Sequence, residues 1–193
     1  NENFEEIGFD FSCRSSLCGR CSMLIDGRPF LSCSKALDPG EHTFEPLKGF
    51  PVIKDLIVDH AHIMEKMYAT KLSVQSVEPI TTICDIPYDL YWNTLEPLNM
   101  CRDCMCCYAV CPPLQEENKW ESFIGPSAMA QVGKRFLDPE DQADRVSQAA
   151  FSGIFDCTLC GKCSAVCPAE IPHVAIFTLL QQEAEKAGLK PKA

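Results

Sequence analysis

Fourteen of the 193 residues are cysteine, and twelve of them fall into tight groups. Cys13-x4-Cys18-x2-Cys21 is followed, after eleven intervening residues, by Cys33. Further on, "CRDCMCCYAVCP" begins at Cys101 and "CTLCGKCSAVCP" at Cys157. Both reduce to C-x2-C-x2-C-x3-C-P, one copy offset from the other by 56 residues. Thiolates are soft ligands that suit zinc or iron–sulfur clusters. Spacings that draw several sulfurs round one centre have no purpose in a disulfide scaffold. They favour metal, and with it a reducing compartment.

The C-x4-C-x2-C spacing with a distant fourth Cys is the plant-type pattern for a [2Fe-2S] cluster. A structural zinc site is usually built from paired C-x2-C knuckles, which the four-residue gap fits poorly. Ser15, Ser16 and Gly19 are small enough to let backbone N–H groups of the loop face sulfur. The two later groups match the bacterial ferredoxin run, in which three close Cys hold one cluster and the fourth crosses to the other. That pattern predicts Cys101, Cys104, Cys107 and Cys167 around one cubane. Cys111, Cys157, Cys160 and Cys163 go around a second, and Pro112 and Pro168 turn the chain away after each crossing ligand. The spacing leaves nuclearity open, since a [3Fe-4S] centre needs only three thiolates. Cys106, between ligands, and Cys84, alone in "TTICDIP", read as small buried hydrophobes.

No other residues suggest chemistry. His42, His60, His62 and His173 form no metal-binding pair, and no phosphate loop or flavin or nicotinamide fingerprint occurs. Catalytic residues are therefore not expected on this chain, and two-electron chemistry would belong to a partner. A net charge of -10 argues against nucleic acid as a partner. No run of 18 apolar residues is present, so attachment to a membrane would come through another subunit. Three clusters in line suit single-electron relay, where a tenfold change in equilibrium constant takes roughly 59 mV.

The elements that must position these groups divide the chain into a β-rich part, 1–58, and a helical part, 59–193, an α+β fold. "CSMLIDGRPFLSC" reads as a hairpin turning at Asp26-Gly27. Thr43-Phe44 and Asp55–Val58 add two short strands, and "GRPF" and "GFDF" read as turns. Residues 59–69 form a helix with Ile63, Met64, Met67 and Tyr68 on its apolar face. Residues 71–100 read as short helices and loops. Pro126 starts a helix to about Phe136, Asp138-Pro139 caps another with Ala143, Val146 and Ala150 inward, and Pro172 opens a last one closed by Gly188 and Pro191.

Taken together, "CRSSLCGRCSMLIDGRPFLSC", "PLKGFPVIKDLIVD", "CRDCMCCYAVCP", "FIGPSAM" and "CSAVCP" give a chain that resembles the iron–sulfur subunit of succinate dehydrogenase and fumarate reductase over essentially its whole length. The resemblance implies a plant-type ferredoxin domain (β-grasp) followed by an α-helical ferredoxin domain. It also implies a place between an FAD-containing flavoprotein subunit and a quinone-binding or membrane-anchor subunit, peripheral on the cytoplasmic face of the inner membrane or the matrix side of a mitochondrion. The family's β-hairpin and helix ahead of the first cluster loop are absent, so the chain reads as an N-terminally incomplete piece of a longer one.

Two departures bear on function. In the common form of the family the position of Cys160 is not Cys, and Cys111, Cys157 and Cys163 hold a [3Fe-4S] cluster; a fourth thiolate here predicts [4Fe-4S] at lower potential. Ubiquinone-reducing members also carry Trp shortly after the Cys-Pro at 111–112 and His after the Cys at 157, where this chain has "PLQEEN" and Thr158. The terminal partner expected is then a low-potential quinone such as menaquinone, a thiol-disulfide subunit or another soluble carrier. The same relay serving a different flavoenzyme is the alternative.

Overall fold

The computed structural model of the chain describes residues 6–76 and 88–190. Strands β1 (Ser22–Ile25) and β2 (Arg28–Leu31) form an antiparallel hairpin, and β3 (Phe44–Glu45) adds to the other edge of β1. The turn is the two residues Asp26 and Gly27, both at positive φ (52° and 74°), the geometry whose twist matches the paired strands. Arg28, Pro29 and Phe30 already belong to β2, so of "GRPF" only Gly27 lies in the turn. Alternation sends Met23, Ile25 and Leu31 inward. A second hairpin pairs β4 (Val52–Lys54) with β5 (Ile57–Val58). Asp55, expected in a strand, lies in its turn at φ 49°. The Asp55 carboxylate accepts from Gly8 N at 2.7 Å and Leu56 N donates to Gly8 O, which ties the first described residues to this hairpin.

Helix α1 (Ala61–Ala69) follows. Ile63 is buried, but Tyr68, expected on the same face, is 77% exposed. After residue 87 come α2 (Tyr88–Leu90), a wide π turn (Tyr91–Leu95) and α3 (Glu96–Asn99). The short α4 (Cys106–Ala109) and α5 (Pro112–Gln115) flank Cys111. The long α6 (Pro126–Leu137) starts on Pro126, as expected of a residue with no N–H to leave unpaired.

The helix expected from Asp138-Pro139 does not begin there. Asp138 ends α6, its carboxylate on Arg135 Nη1 at 2.8 Å, and α7 runs over Arg145–Phe151. Its cap is Asp144, which accepts from Ser147 N at 2.9 Å. Of the predicted inward face Ala150 is buried and Val146 only partly so; Ala149 and Arg145 fill the remainder. Arg145, 3% exposed, forms a two-pronged pair with Asp141 (3.1 and 2.7 Å) and donates to the carbonyls of Lys71 and Ser73. It thereby fastens residues 71–73 to the helical part. α8 (Lys162–Ala165) and α9 (His173–Lys186) complete the chain, with Pro172 at the head of α9. Pro191 and Cys84 lie outside the described residues.

One apolar core joins the two parts. Leu47, Phe50 and Ile63 pack with Tyr108, Leu114, Phe123, Met129 and Phe177. Phe50 meets the rings of His60, Tyr108 and Trp120 at 4.9, 6.3 and 5.8 Å, and Trp120 lies nearly parallel to Tyr108. Gln115 Nε2 bridges the carbonyls of Lys48 and Tyr108. Tyr108 donates to Ile124 O at 2.8 Å and accepts from Ala128 N, which anchors the entry of α6 beside the cysteine runs.

Candidate cluster sites

The loop from Cys13 to Cys18 turns with Arg14 and Ser16 at positive φ, and this aims consecutive N–H groups at sulfur. Ser15, Leu17 and Cys18 N donate to Cys13 Sγ at 3.4, 3.2 and 3.3 Å, and Ser16 N donates to Cys33 Sγ at 3.3 Å. The Ser15 and Leu17 amides hold the Cys13 thiol down to about 6, in the range of a ready thiolate. Cys21 is buried, and burial pushes its thiol up. Cys21 and Cys33 face one open hollow lined also by Phe9, Phe11, Arg14 and Ser32. The loop thus brings Cys13, Cys18, Cys21 and Cys33 together at one end of the hairpin. Ser15 and Ser16 present amides to sulfur as expected. Gly19 acts differently, by allowing a close approach. At φ 71° it lies so near the next run that a Cβ would stand 2.1 Å from Arg102 O.

The sequence repeat is a repeat of backbone as well. Asp103 and Met105 are at positive φ, and so are Leu159 and Gly161, the residues at the same offset. Each run then enters one short helix, α4 or α8. Left-handed Met and Leu are strained conformations of the kind that persist where a loop is shaped around a site.

Cys101, Cys104, Cys107 and Cys167 line one pocket. Cys111, Cys157, Cys160 and Cys163 line another. In each, one cysteine comes from the other run. Among the described residues no three His, Cys, Asp or Glu side chains are gathered tightly enough to hold a single metal ion. The sulfurs instead ring a hollow, as a multi-atom group requires. Cys106 is 1% exposed, is absent from the pocket lining, and packs with Cys21, Leu31 and Cys104. Its thiol hydrogen-bonds Cys104, the main cause that holds Cys104 down to about 7. Burial pushes Cys101, Cys111 and Cys163 up to about 12, and also pushes Cys107 well up. Bare thiolates are costly in these walls, so a cationic centre has to compensate them. All thirteen described cysteines are free.

The walls also hold polar atoms that no protein group satisfies. Ser127 Oγ and Arg102 Nε and Nη1 are buried without partners beside Cys101, Cys104 and Cys107, and so is Ser164 Oγ next to Cys163. Orphaned donors around a ring of sulfurs fit the sulfides and thiolates of an iron–sulfur cluster. His173 joins the same wall; Nδ1–H donates to Ile171 O, and burial brings the ring down to about 4, so it is neutral. Motif spacing did not single out Arg102, Ser127 or His173. The signal available was Arg102 itself, a long cation directly between two ligand-spaced cysteines.

The three sites are contiguous. Cys21 of the first and Cys104 of the second share a small apolar cluster, and Cys107 of the second shares the main core with Cys111 and Cys163 of the third. The middle site is the most enclosed, while Cys33 and Cys160 at the two ends are exposed.

A small sheet followed by helices, with three cysteine quartets in a row, defines a multi-cluster ferredoxin. Residues 1–65 match the model of a 2Fe-2S iron-sulfur cluster binding domain and residues 97–171 that of a 4Fe-4S dicluster domain. The fumarate reductase iron-sulfur subunit of Mycobacterium tuberculosis is 38% identical over 173 residues, covering 84% of this chain and 68% of that one. A subunit of the fumarate reductase (CoM/CoB) of Methanothermobacter marburgensis is 36% identical, over 86% of this chain and 32% of that one. The chain spans about a third of the length of several relatives that it matches. The Mycobacterium smegmatis Sdh1 complex in its apo form contains a chain of the same fold, with a TM-score of 0.80 at 23% identity over 97% of this chain and 81% of that one. The chain belongs to the family of fumarate reductase iron–sulfur subunits.

Proposed function

We propose that the chain relays single electrons within a succinate dehydrogenase/fumarate reductase-type complex, between an FAD-containing flavoprotein subunit and a second electron partner. One observation carries this reading: three contiguous cysteine sites run from an exposed Cys33 through an enclosed middle to an exposed Cys160. The ligand sets are Cys13, Cys18, Cys21 and Cys33 for [2Fe-2S]; Cys101, Cys104, Cys107 and Cys167 for [4Fe-4S]; and Cys111, Cys157, Cys160 and Cys163 for the third cluster. The part up to residue 58 holds the first and 59–193 the other two. Bound clusters of these types take up and release one electron at a time, at potentials set by ligands, hydrogen bonds and exposure.

The residues around them shape that role. The Ser15, Leu17 and Cys18 amides stabilise charge on Cys13, and the core around Cys107, Cys111 and Cys163 keeps water away. Beside the first site Phe9, Phe11 and Leu17 are exposed with Arg14, an apolar face with a cation, which suits the flavoprotein. At the other end Thr158, Leu159, Cys160 and Val174 edge the third pocket, where the quinone, membrane-anchor or thiol-disulfide partner belongs. A thiol partner gains weight from the Methanothermobacter relative, whose name joins fumarate reduction to CoM and CoB. Among the described residues no helix is long and apolar enough to cross a membrane. We place the chain at the cytoplasmic face of the inner membrane, or the matrix side of a mitochondrion, held by its partners.

That Cys160 lines the third pocket with the other three supports a [4Fe-4S] cluster there in preference to [3Fe-4S]. Redox-titrated EPR of the purified complex, with about ten iron atoms per chain, tests the whole reading. Three centres are expected, and Cys160→Ser gives a [3Fe-4S] signal at the third. Zinc in place of iron refutes the relay, and a [3Fe-4S] signal in the anaerobic parent protein refutes the assignment of Cys160.

A further inference from the structure

Arg102 lies between Cys101 and Cys104 and lines two spaces at once. One is the pocket of the second cysteine site; the other is a hollow that it shares with Cys18, Gly19, Arg20, His60 and Asp103. Its Nε and Nη1 are buried and have no partner. Asp103, on the same wall, takes Cys101 Sγ at 3.5 Å. The Arg102 carbonyl is the group that Gly19 approaches, so the residue sits at the contact of the first two sites. A buried guanidinium with two orphaned N–H groups is costly unless anionic acceptors face it. The acceptors that these walls supply are thiolate sulfurs and the Asp103 carboxylate, of which Asp103 is exposed to solvent.

We propose that Arg102 is a positioning residue that balances charge at the junction of the first two sites, its N–H groups directed at their thiolates, and so raises the potentials of the centres bound there. Positive charge and hydrogen bonds near sulfur favour the reduced, more negative state of a cluster. Arg20, the other cation of the hollow, is 63% exposed and 3.7 Å from Asp10, so solvent screens it. Arg102 is not among the residues that line the third pocket. The inference rests on the relay reading, but its test separates the two.

The test is redox-titrated EPR of the intact complex carrying Arg102→Gln, Arg102→Lys or Arg20→Gln. At a fixed poise, Arg102→Gln is expected to lower the reduced-to-oxidised ratio of the second centre at least tenfold, ~59 mV for one electron. The first centre shifts the same way and the third stays unchanged. Arg102→Lys keeps the charge and stays within threefold of the parent, as does Arg20→Gln. Equal potentials in Arg102→Gln and parent, a common shift of all three centres, or a tenfold fall in Arg102→Lys overturns the proposal and leaves the relay standing. Should Arg102→Gln fail to assemble, Arg102→Lys decides by the same limits. A parent protein without iron refutes both.

Discussion

Replacing Gly19 with alanine tests how closely the first cysteine loop is set against the second. The new Cβ would stand 2.1 Å from Arg102 O and 3.1 Å from Cys104 Cα, where ordinary contact begins near 3.4 Å. The loop or the run must therefore give way by roughly 1.3 Å, and the atom in its path is backbone, which cannot swing aside. Overpacking of this kind costs about 1–3 kcal/mol. Alanine at φ 71° adds about 1–2 kcal/mol for the left-handed backbone. Gly27 is the matched control: φ is 74°, but nothing lies within 4 Å of its Cβ position. Gly27→Ala thus bears the conformational cost alone. Thermal unfolding of the two variants should differ by the packing cost, which at about 2–4 °C per kcal/mol for a chain of this size gives a further drop of about 2–12 °C in Gly19→Ala. If the two variants unfold at the same temperature, the close approach of Gly19 to Arg102 is wrong, and the contiguity of the first two sites loses its main support.

Arg145→Met leaves Asp141 as an uncompensated charge that is 0% exposed. It should cost about 3–5 kcal/mol in urea unfolding, with faster hydrogen exchange at residues 71–75. Tyr108→Phe removes a donor to Ile124 O and an acceptor for Ala128 N. About 1–3 kcal/mol is expected in the same assay, with the entry of α6 losing exchange protection. His42 holds Asp26 Oδ2 and Asp38 O, each at 2.8 Å, and the Asp38 carbonyl and Asp26 carboxylate raise its pKa, while the Thr43 amide and His42 lower that of Asp26. The His42 contribution is full below the ordinary imidazole value and is lost as pH rises through the raised one. The Asp26 contribution is present above the ordinary carboxylate value and is lost as pH falls through the lowered one. The hairpin should be firmest between about pH 4 and 6.5, followed by the His42 ring resonances in NMR, and His42→Asn should remove the upper limb.

Much of the site was legible in the sequence because cluster ligation imposes fixed spacings. Each of the two later pockets is lined by four cysteines of these runs, one of them drawn from the other run. Asp26-Gly27 and Pro126 were legible for a similar reason, since a two-residue hairpin turn and a first helical position each demand particular backbone chemistry. What failed was tertiary. Asp138-Pro139 has the local form of a helix start, yet Asp138 is claimed by Arg135, and Asp144 caps α7. Arg145, about which the cysteine and helix patterns say nothing, is buried; its fourfold spacing from Asp141 was the available sign. Tyr68 shares the period of Ile63 but finds no core to face. Arg102 was passed over because a pattern of cysteines says nothing about what stands between them.

The crossing of Cys111 and Cys167 has a consequence for biosynthesis. The second pocket lacks its fourth cysteine until the ribosome has added residue 167, and the third lacks its last until residue 163, although the first run was made some sixty residues earlier. The amino-terminal loop, complete at Cys33, has no such delay. Iron delivery to the nascent polypeptide should therefore succeed first at the loop and only later at the other two. A stop codon placed anywhere between the runs would leave a product able to retain the first centre alone.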